Sequence, residues 1–359
     1  MERASQSPSL ARAQAFAARL GVRFPILLAP MAGACPPSLS IAVANAGGMG
    51  GCGAVLMSAQ AIGAWAEEFR RGSAGAFQIN LWIPGVEPVR DAEAEERQRA
   101  FLGGWGPAVG IEAGEAVLPD FAAQCEAMLA ARPRAISSIM GVFDEAFVAA
   151  MKERGILWLA TATTVAEARA AEAAGADAVI AQGMEAGGHR GAFRSEDAEA
   201  EMVGLMSLLP QVCDAVTVPV IAAGGIADER GVAAALLLGA SAAMVGTAFL
   251  RAPEAKTAPA WAERIGATEA HQTRVTRAFS GRPGRAIRTR YVDAAAKGPA
   301  PAPYPVQRGF TRGMREEAAK GGDAERMQMW AGQSARLAQA QPAAEITGQL
   351  WAGAVALLS

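Results

Sequence analysis

Residues 156–191 read ILWLATATTVAEARAAEAAGADAVIAQGMEAGGHRG. Two apolar runs, ILWLATA (156–162) and ADAVIAQG (176–183), flank the segment TVAEARAAEAAG (164–175). Neither run alternates apolar with polar residues, which is the pattern of a strand buried on both faces. The segment between them sets alanine on one face and Glu167, Arg169 and Glu172 on the rest, with a glycine as its stop, as an amphipathic helix does. Strand, helix and strand at this spacing form a βαβ unit with a right-handed crossover.

The same kind of run recurs on both sides. PILLAP (25–30), GMGGCG (48–53), AFQIN (76–80), AISSIMG (135–141), VPVIAAGG (218–225) and AAMVGTA (242–248) bring the total to eight, and ERGVAAALLLG (229–239) is a second helical link. Eight strands predict an α/β fold of the closed (β/α)8, or TIM barrel, type. An open doubly wound sheet would alternate in the same way. The strand count favours the barrel, as do the glycines just after strand ends, where a barrel keeps its active site. Two stretches break the rhythm. Residues 82–134, with the charged patch DAEAEERQR (91–99), are expected to form an insertion of helical or cap type. Residues 251–359 are expected to be a mostly helical C-terminal extension that packs on the barrel and completes its substrate side. The barrel itself is assigned to 1–81 and 135–250.

Composition agrees with buried strands and excludes several classes. Of 359 residues 52% are hydrophobic and 19% charged, which rules out intrinsic disorder. With 33 basic against 35 acidic residues, no field of one sign supports nucleic-acid binding. Arg282, Arg285, Arg288 and Arg290 lie close together but without interleaved aromatics, so contacts to the barrel or to a substrate are expected of them. Cys35, Cys52, Cys125 and Cys213 form no CxxC or Cys/His pattern, so neither a disulfide framework nor a metal site is expected, and a cytoplasmic location fits. The first 21 residues lack an apolar core of signal-peptide type and read as a leading helix. Residues 231–250 carry no charge over a span of membrane length, but seven are alanine and three glycine. A buried helix followed by a buried strand, divided near Gly239, is the expectation there, not a membrane span.

Three strand ends carry chemistry. After ADAVIAQG comes Gly183-Met184-Glu185-Ala186-Gly187-Gly188-His189-Arg190-Gly191, in which glycines permit close backbone approach around one of only two histidines. A loop at the carboxyl end of a barrel, flanked by residues too small to bury the ring, favours a catalytic role for His189. His271, in the polar ATEAHQTR, is expected to be solvated. The loops after the seventh and eighth strands, with Gly224, Gly225, Gly246 and Thr247, stand where barrels bind phosphate through backbone N–H groups. Asn80, at the end of another strand, and Gln182, at the end of the strand that leads into the histidine loop, are able to hydrogen-bond the edge of a heterocycle.

These residues also carry a family likeness. AlaProMetAlaGly (29–33), AsnAlaGlyGlyMetGly (45–50), GlnGlyMetGluAlaGlyGlyHisArgGly (182–191), ProValIleAlaAlaGlyGlyIleAlaAsp (219–228) and GlyThrAlaPheLeu (246–250) resemble the nitronate monooxygenases, formerly 2-nitropropane dioxygenases. The likeness continues through AlaPheSerGlyArgProGlyArgAlaIle (278–287) to TrpAlaGlyGlnSer (330–334). It implies an FMN barrel that oxidises alkyl nitronates, or nitroalkanes, with O2 to a carbonyl product and nitrite. It places the FMN phosphate on Gly224, Gly225, Gly246 and Thr247. Ala29, Pro30 and Met31 would then lie by the flavin ring, with Asn80 and Gln182 hydrogen-bonding it. Gly187 and Gly188 would allow close approach, and His189 would be the catalytic base or would position the substrate. Ala34-Cys35-Pro36-Pro37 stands where the family usually has Ser or Thr followed by Thr-Pro.

The alternative enzyme is an NAD(P)H-dependent FMN reductase acting on a quinone or an enoyl-acyl-carrier-protein, whose glycine–histidine loop looks similar. A scaffold with a decayed flavin site is disfavoured, because each glycine and polar element of the site is present. A monomer or homodimer is expected.

Overall fold

The computed structural model describes residues 7–359. The apolar runs form β1 (Ile26–Leu28), β2 (Gly50–Gly53), β3 (Phe77–Trp82), β4 (Ala135–Ile139), β5 (Leu157–Ala162) and β6 (Ala178–Gln182). A two-residue strand β7 (Gly188–His189) follows, then β8 (Val220–Ala223) and β9 (Ala242–Val245). With β7 set aside, the strands from β2 to β9 each pair in parallel with their neighbours in the sequence. The first strand pairs with the last, from Ile26 with Ala243 to Leu28 with Val245. Leu27 bridges Met49 on its other side, where Leu28 N–H donates to Met49 O and Met49 N–H donates to Ile26 O, each at 2.9 Å. The sheet therefore joins into an eight-stranded parallel barrel, as the run count predicts.

Alternation along the strands divides the apolar residues between two cores. Leu27, Met49, Leu159, Ile180, Ile221 and Met244 fill the interior, whereas Ile26, Leu28, Trp158, Val179 and Val245 face the outer helices. Ala135, Ala178 and Ala242 open β4, β6 and β9 with small side chains, and Phe16 and Leu20 join their cluster. Those two belong to the helix Pro8–Leu20, which buries Leu10, Ala13, Phe16, Ala17 and Leu20. The leading helix thus plugs the amino-terminal end of the barrel; residues 1–6 lie outside the described part.

The outer helices start where the sequence caps them. Asp144, Thr164 and Asp228 each accept an N–H from the residue three positions on, at the helices Glu145–Glu153, Val165–Ala173 and Glu229–Leu237. The uncharged stretch 231–250 divides between the last of these helices, β9 and a 3₁₀ turn, Thr247–Phe249. Among the described residues no helix is long and apolar enough to cross a membrane. Within 82–134, the helix Phe121–Ala131 packs on the helix Ala59–Gly72, while Leu102 of the helix Ala92–Gly103 is buried with Tyr291 and Phe310. The final helix, Ala343–Leu358, packs on Pro37–Ala46 and Glu229–Leu237, so the end of the chain completes the ring of outer helices.

Between β9 and that last helix the chain builds the superstructure of the site. β10 (Thr273–Thr276) and β11 (Gly284–Ile287) form an antiparallel hairpin. β11 also pairs antiparallel with β7, Gly284 with His189 and Arg285 with Gly188.

Closure at β1 and β2 yields a test. A Cβ on Gly51 would stand 2.4 Å from the Leu28 carbonyl oxygen, whereas one on Gly63, in a helix, meets nothing within 4 Å. Gly51→Ala should lower stability by about 2–3 kcal/mol through overpacking. Gly63→Ala should raise it by up to about 1 kcal/mol through helix propensity. Urea unfolding followed by circular dichroism measures both, and equal midpoints would contradict this account of closure.

Candidate active site

The carboxyl ends of the strands open into one cavity of about 400 Å³, within the size range of small-molecule and cofactor sites. It brings together all the residues expected to hold the cofactor or to act on the substrate. Ala29, Pro30 and Met31 follow β1, Asn80 lies near the end of β3, and Gln182 ends β6. Gly187, Gly188 and His189 come from the next loop, Gly224 and Gly225 follow β8, and Gly246 and Thr247 follow β9. His271, by contrast, is exposed and away from the cavity.

One end of the cavity is made of backbone. Gly224 and Gly225 hold φ of +105° and +72°, a region that side chains disfavour. Among the described residues, the N–H groups of Gly224, Gly225, Gly246 and Thr247 donate to no backbone acceptor. Thr247 Oγ1 accepts the Gly332 N–H at 3.0 Å and keeps its own hydrogen, while Ser334 Oγ donates to Gly225 O at 2.6 Å. Asp228 already caps the helix beyond, accepting Gly231 N–H at 3.0 Å. The free donors therefore belong to the loop, not to the helix start. Gly187 has a different reason to be glycine, since a Cβ there would lie 2.5 Å from Gly332 N.

The other end is aromatic and cationic. The His189 ring lies 4.7 Å from Trp82 and 4.9 Å from Trp330, centroid to centroid, and its Nε2 is 2.8 Å from Ser280 Oγ. Burial, aided by the charges of Arg282 and Arg308, pushes its pKa down to about 3, so the imidazole is neutral at neutral pH. Arg308 and Arg315 line the cavity, together with Tyr304 and Gln328, and among the described residues the lining contains no carboxylate. Arg315 is fixed by Thr311 Oγ1 and Gln328 Oε1, each at 3.1 Å, and by Arg308 O at 3.0 Å. Burial lowers its pKa to about 10, which still leaves it charged at neutral pH. A walled cavity with net positive charge and no acid selects anions.

The amides have structural duties. Gln182 Oε1 accepts from Gly191 N–H at 2.8 Å and Arg190 Nη1 at 3.2 Å, and Nε2 donates to His189 O at 3.2 Å. One N–H of Gln182 remains for a ligand. Asn80 Nδ2 donates to the carbonyl and the hydroxyl of Ser137, at 3.2 and 3.1 Å, which leaves its oxygen as the acceptor for a ligand. Cys35 clasps the loop after β1, its thiol donating to Ala29 O at 3.2 Å and accepting from Met31 N at 3.4 Å. Two of the four arginines flagged in the sequence reach the barrel, Arg285 Nε donating to Met184 O at 2.9 Å and Arg282 lying against Met140, whereas Arg288 and Arg290 pair with Asp293 and Glu325 instead.

Sequence reasoning did not select Trp82, Ser280, Arg308, Arg315, Gln328 or Trp330 as site residues. Several stand within motifs already visible, Ser280 in AFSGRPGRAI and Trp330 in WAGQS, but no periodicity marks them as facing the barrel mouth.

Known proteins share this architecture. A sequence profile of the nitronate monooxygenase family matches residues 14–353. A probable nitronate monooxygenase of Staphylococcus aureus (strain MSSA476) is 35% identical over 335 residues, covering 92% of this chain and 94% of its own. The solved structure of nitroalkane oxidase from Streptomyces ansochromogenes matches with a TM-score of 0.86 at 37% identity, over 96% of this chain and 100% of that one. FabK from Thermotoga maritima matches with a TM-score of 0.74 at 29% identity, over 94% of this chain and 95% of that one. By profile, sequence and architecture, the chain belongs to the nitronate monooxygenase family.

Proposed function

We propose that this protein binds FMN at the barrel mouth and oxidises alkyl nitronates with O2, giving a carbonyl product and nitrite. The residues fit the cofactor. Gly224, Gly225, Gly246 and Thr247 offer free donors for its phosphate. Ala29, Pro30 and Met31, with Gly187 and Gly188, supply a wall of small side chains and backbone for the flavin ring. Asn80 offers an acceptor and Gln182 a donor to its polar edge. When bound, FMN supplies the electron transfer that no side chain here performs.

The observation that carries the reading is the charge of the cavity: among the described residues, two arginines and no carboxylate in its lining. A nitronate is an anion, and Arg308 and Arg315 favour it over the neutral nitroalkane. His189 points the same way. An effective general base has a pKa near the operating pH, and a histidine held near 3 is a weak one. A substrate that arrives deprotonated needs no base, and a neutral imidazole hydrogen-bonds and orients it. Trp82, Tyr304 and Trp330 restrict water around the reacting group. The second reading is the FMN reductase, supported by the resemblance of the glycine–histidine loop.

Oxygen uptake by the FMN-loaded protein should be much faster with propyl-2-nitronate than with 2-nitropropane. Arg308→Gln should raise KM for the nitronate about tenfold, the loss of one charge-assisted hydrogen bond. Absence of uptake with any nitronate would remove the activity. Thr247→Val, which deletes the hydroxyl and keeps the shape, should weaken FMN binding about ten- to a hundredfold in a fluorescence titration. Unchanged affinity would remove Thr247 from the phosphate site.

The low pKa of His189 also has a consequence for stability. The unfolded chain binds a proton near pH 6.5 and the folded chain only near 3, so folding stability falls as pH drops through that window. His189→Gln should therefore lose less Tm than the parent between pH 7 and 4.5. An equal or larger loss would place the titration elsewhere.

A further inference from the structure

Ser280 is 2% exposed and sits in the turn between β10 and β11. Its Oγ is 2.8 Å from His189 Nε2, and both the N–H and the carbonyl oxygen of Arg282 lie 3.3 Å away. A hydroxyl carries one hydrogen and two acceptor positions. In one arrangement Oγ–H donates to Nε2, the Arg282 N–H donates to Oγ, and the imidazole hydrogen resides on Nδ1. In the other, Oγ–H donates to the Arg282 carbonyl, Oγ accepts Nε2–H, and Nδ1 keeps a lone pair. Both keep the Ser280–His189 hydrogen bond; they differ by rotation of one hydroxyl and by the exchange, through water, of one imidazole hydrogen between Nδ1 and Nε2.

The ring need not move between them. Trp82 and Trp330 pack against it, and its backbone pairs with Gly284. Nδ1 has no hydrogen-bond partner among the described residues, so it is the ring nitrogen left for a ligand. The charged and titratable groups facing the ring are Arg282, Arg308 and Tyr304. Burial, aided by the two cations, holds the imidazole neutral, so its two neutral tautomers are the states in play.

We propose that Ser280 is the positioning residue that sets the tautomer of His189. Its hydroxyl donates to a bare Nε2 or accepts Nε2–H, so that, with the imidazole hydrogen exchanged through water, Nδ1 is a donor to an anionic substrate or an acceptor toward a neutral one. An anion in the cavity selects the Nδ1–H form, because a lone pair facing negative charge is repelled. This assignment rests on the reading of the cavity as an anion site, and its test needs no turnover.

The chain has two histidines, and His271→Gln leaves His189 as the single imidazole. Nitrogen-15 spectra of the FMN-loaded variant, labelled at histidine, report which ring nitrogen is protonated. Sodium nitrate is the unreactive planar anion, and its binding is followed separately by the visible spectrum of the flavin. Nitrate should shift the tautomer ratio toward Nδ1–H by roughly tenfold or more, the scale of one charge-assisted hydrogen bond. Ser280→Ala should abolish the shift and Ser280→Thr should restore it. Nitrate that binds without changing the ratio, or an unchanged response in Ser280→Ala, overturns the assignment and leaves the anion site standing. Nitrate that fails to bind overturns both. Should Ser280→Ala not fold, the response of the parent ring decides alone, since a ring that stays Nε2–H with nitrate bound contradicts the proposal.

Discussion

The mouth of this barrel depends on two backbone pairings, Gly284 with His189 and Arg285 with Gly188. They convert the glycine-rich loop after β6 from a free segment into the edge of a three-stranded sheet. Once that edge is set, the Ser280 hydroxyl comes within hydrogen-bond reach of the His189 ring, and Trp330 packs on its side. Gln182 fixes the same loop from below by taking up Gly191 N–H and His189 O. A single histidine is thus held by the barrel from one side and by the hairpin from the other. Chains of packed, hydrogen-bonded groups of this kind give a site the positional precision that catalysis needs.

The electrostatics follow from the same junction. The barrel alone contributes glycines, amides and apolar side chains to the cavity, with no formal charge. The cations that line it, Arg308 and Arg315, come from the region between β9 and the last helix. Burial lowers their pKa without discharging them, and no acid in the lining neutralises them. The cavity therefore combines neutral peptide donors at one end with guanidinium groups at the other. Both ends suit anionic groups, a phosphate and a nitronate, and the neutral imidazole between them is a weak base.

The barrel was legible in the sequence because each of its strands is a short apolar run closed by glycine, proline or a small polar residue. A buried parallel sheet imposes that pattern locally, without reference to distant partners. Ala29, Asn80, Gln182, Gly224 and Gly246 were legible for the same reason, since a residue at a strand end is at the barrel mouth by construction. Ser280, Arg308 and Trp330 were not. They reach the cavity through a hairpin register and through clusters around Tyr291 and Met329 that join distant segments, and no periodicity encodes such pairing. The outer helices show the same divide. Asp144, Thr164 and Asp228 announce helix starts locally, whereas the return of residues 343–358 to the barrel wall is a long-range packing event.

The central claim is that the superstructure makes an anion-selective cavity over a flavin, so that a nitronate alone, without a pyridine nucleotide, delivers electrons to it. Anaerobic titration of the FMN-loaded protein, followed by visible absorbance, tests this directly. The account predicts that an alkyl nitronate bleaches the flavin in the absence of NADH and NADPH. Bleaching only by NADH or NADPH, with none by nitronate, would contradict it and establish the reductase reading instead.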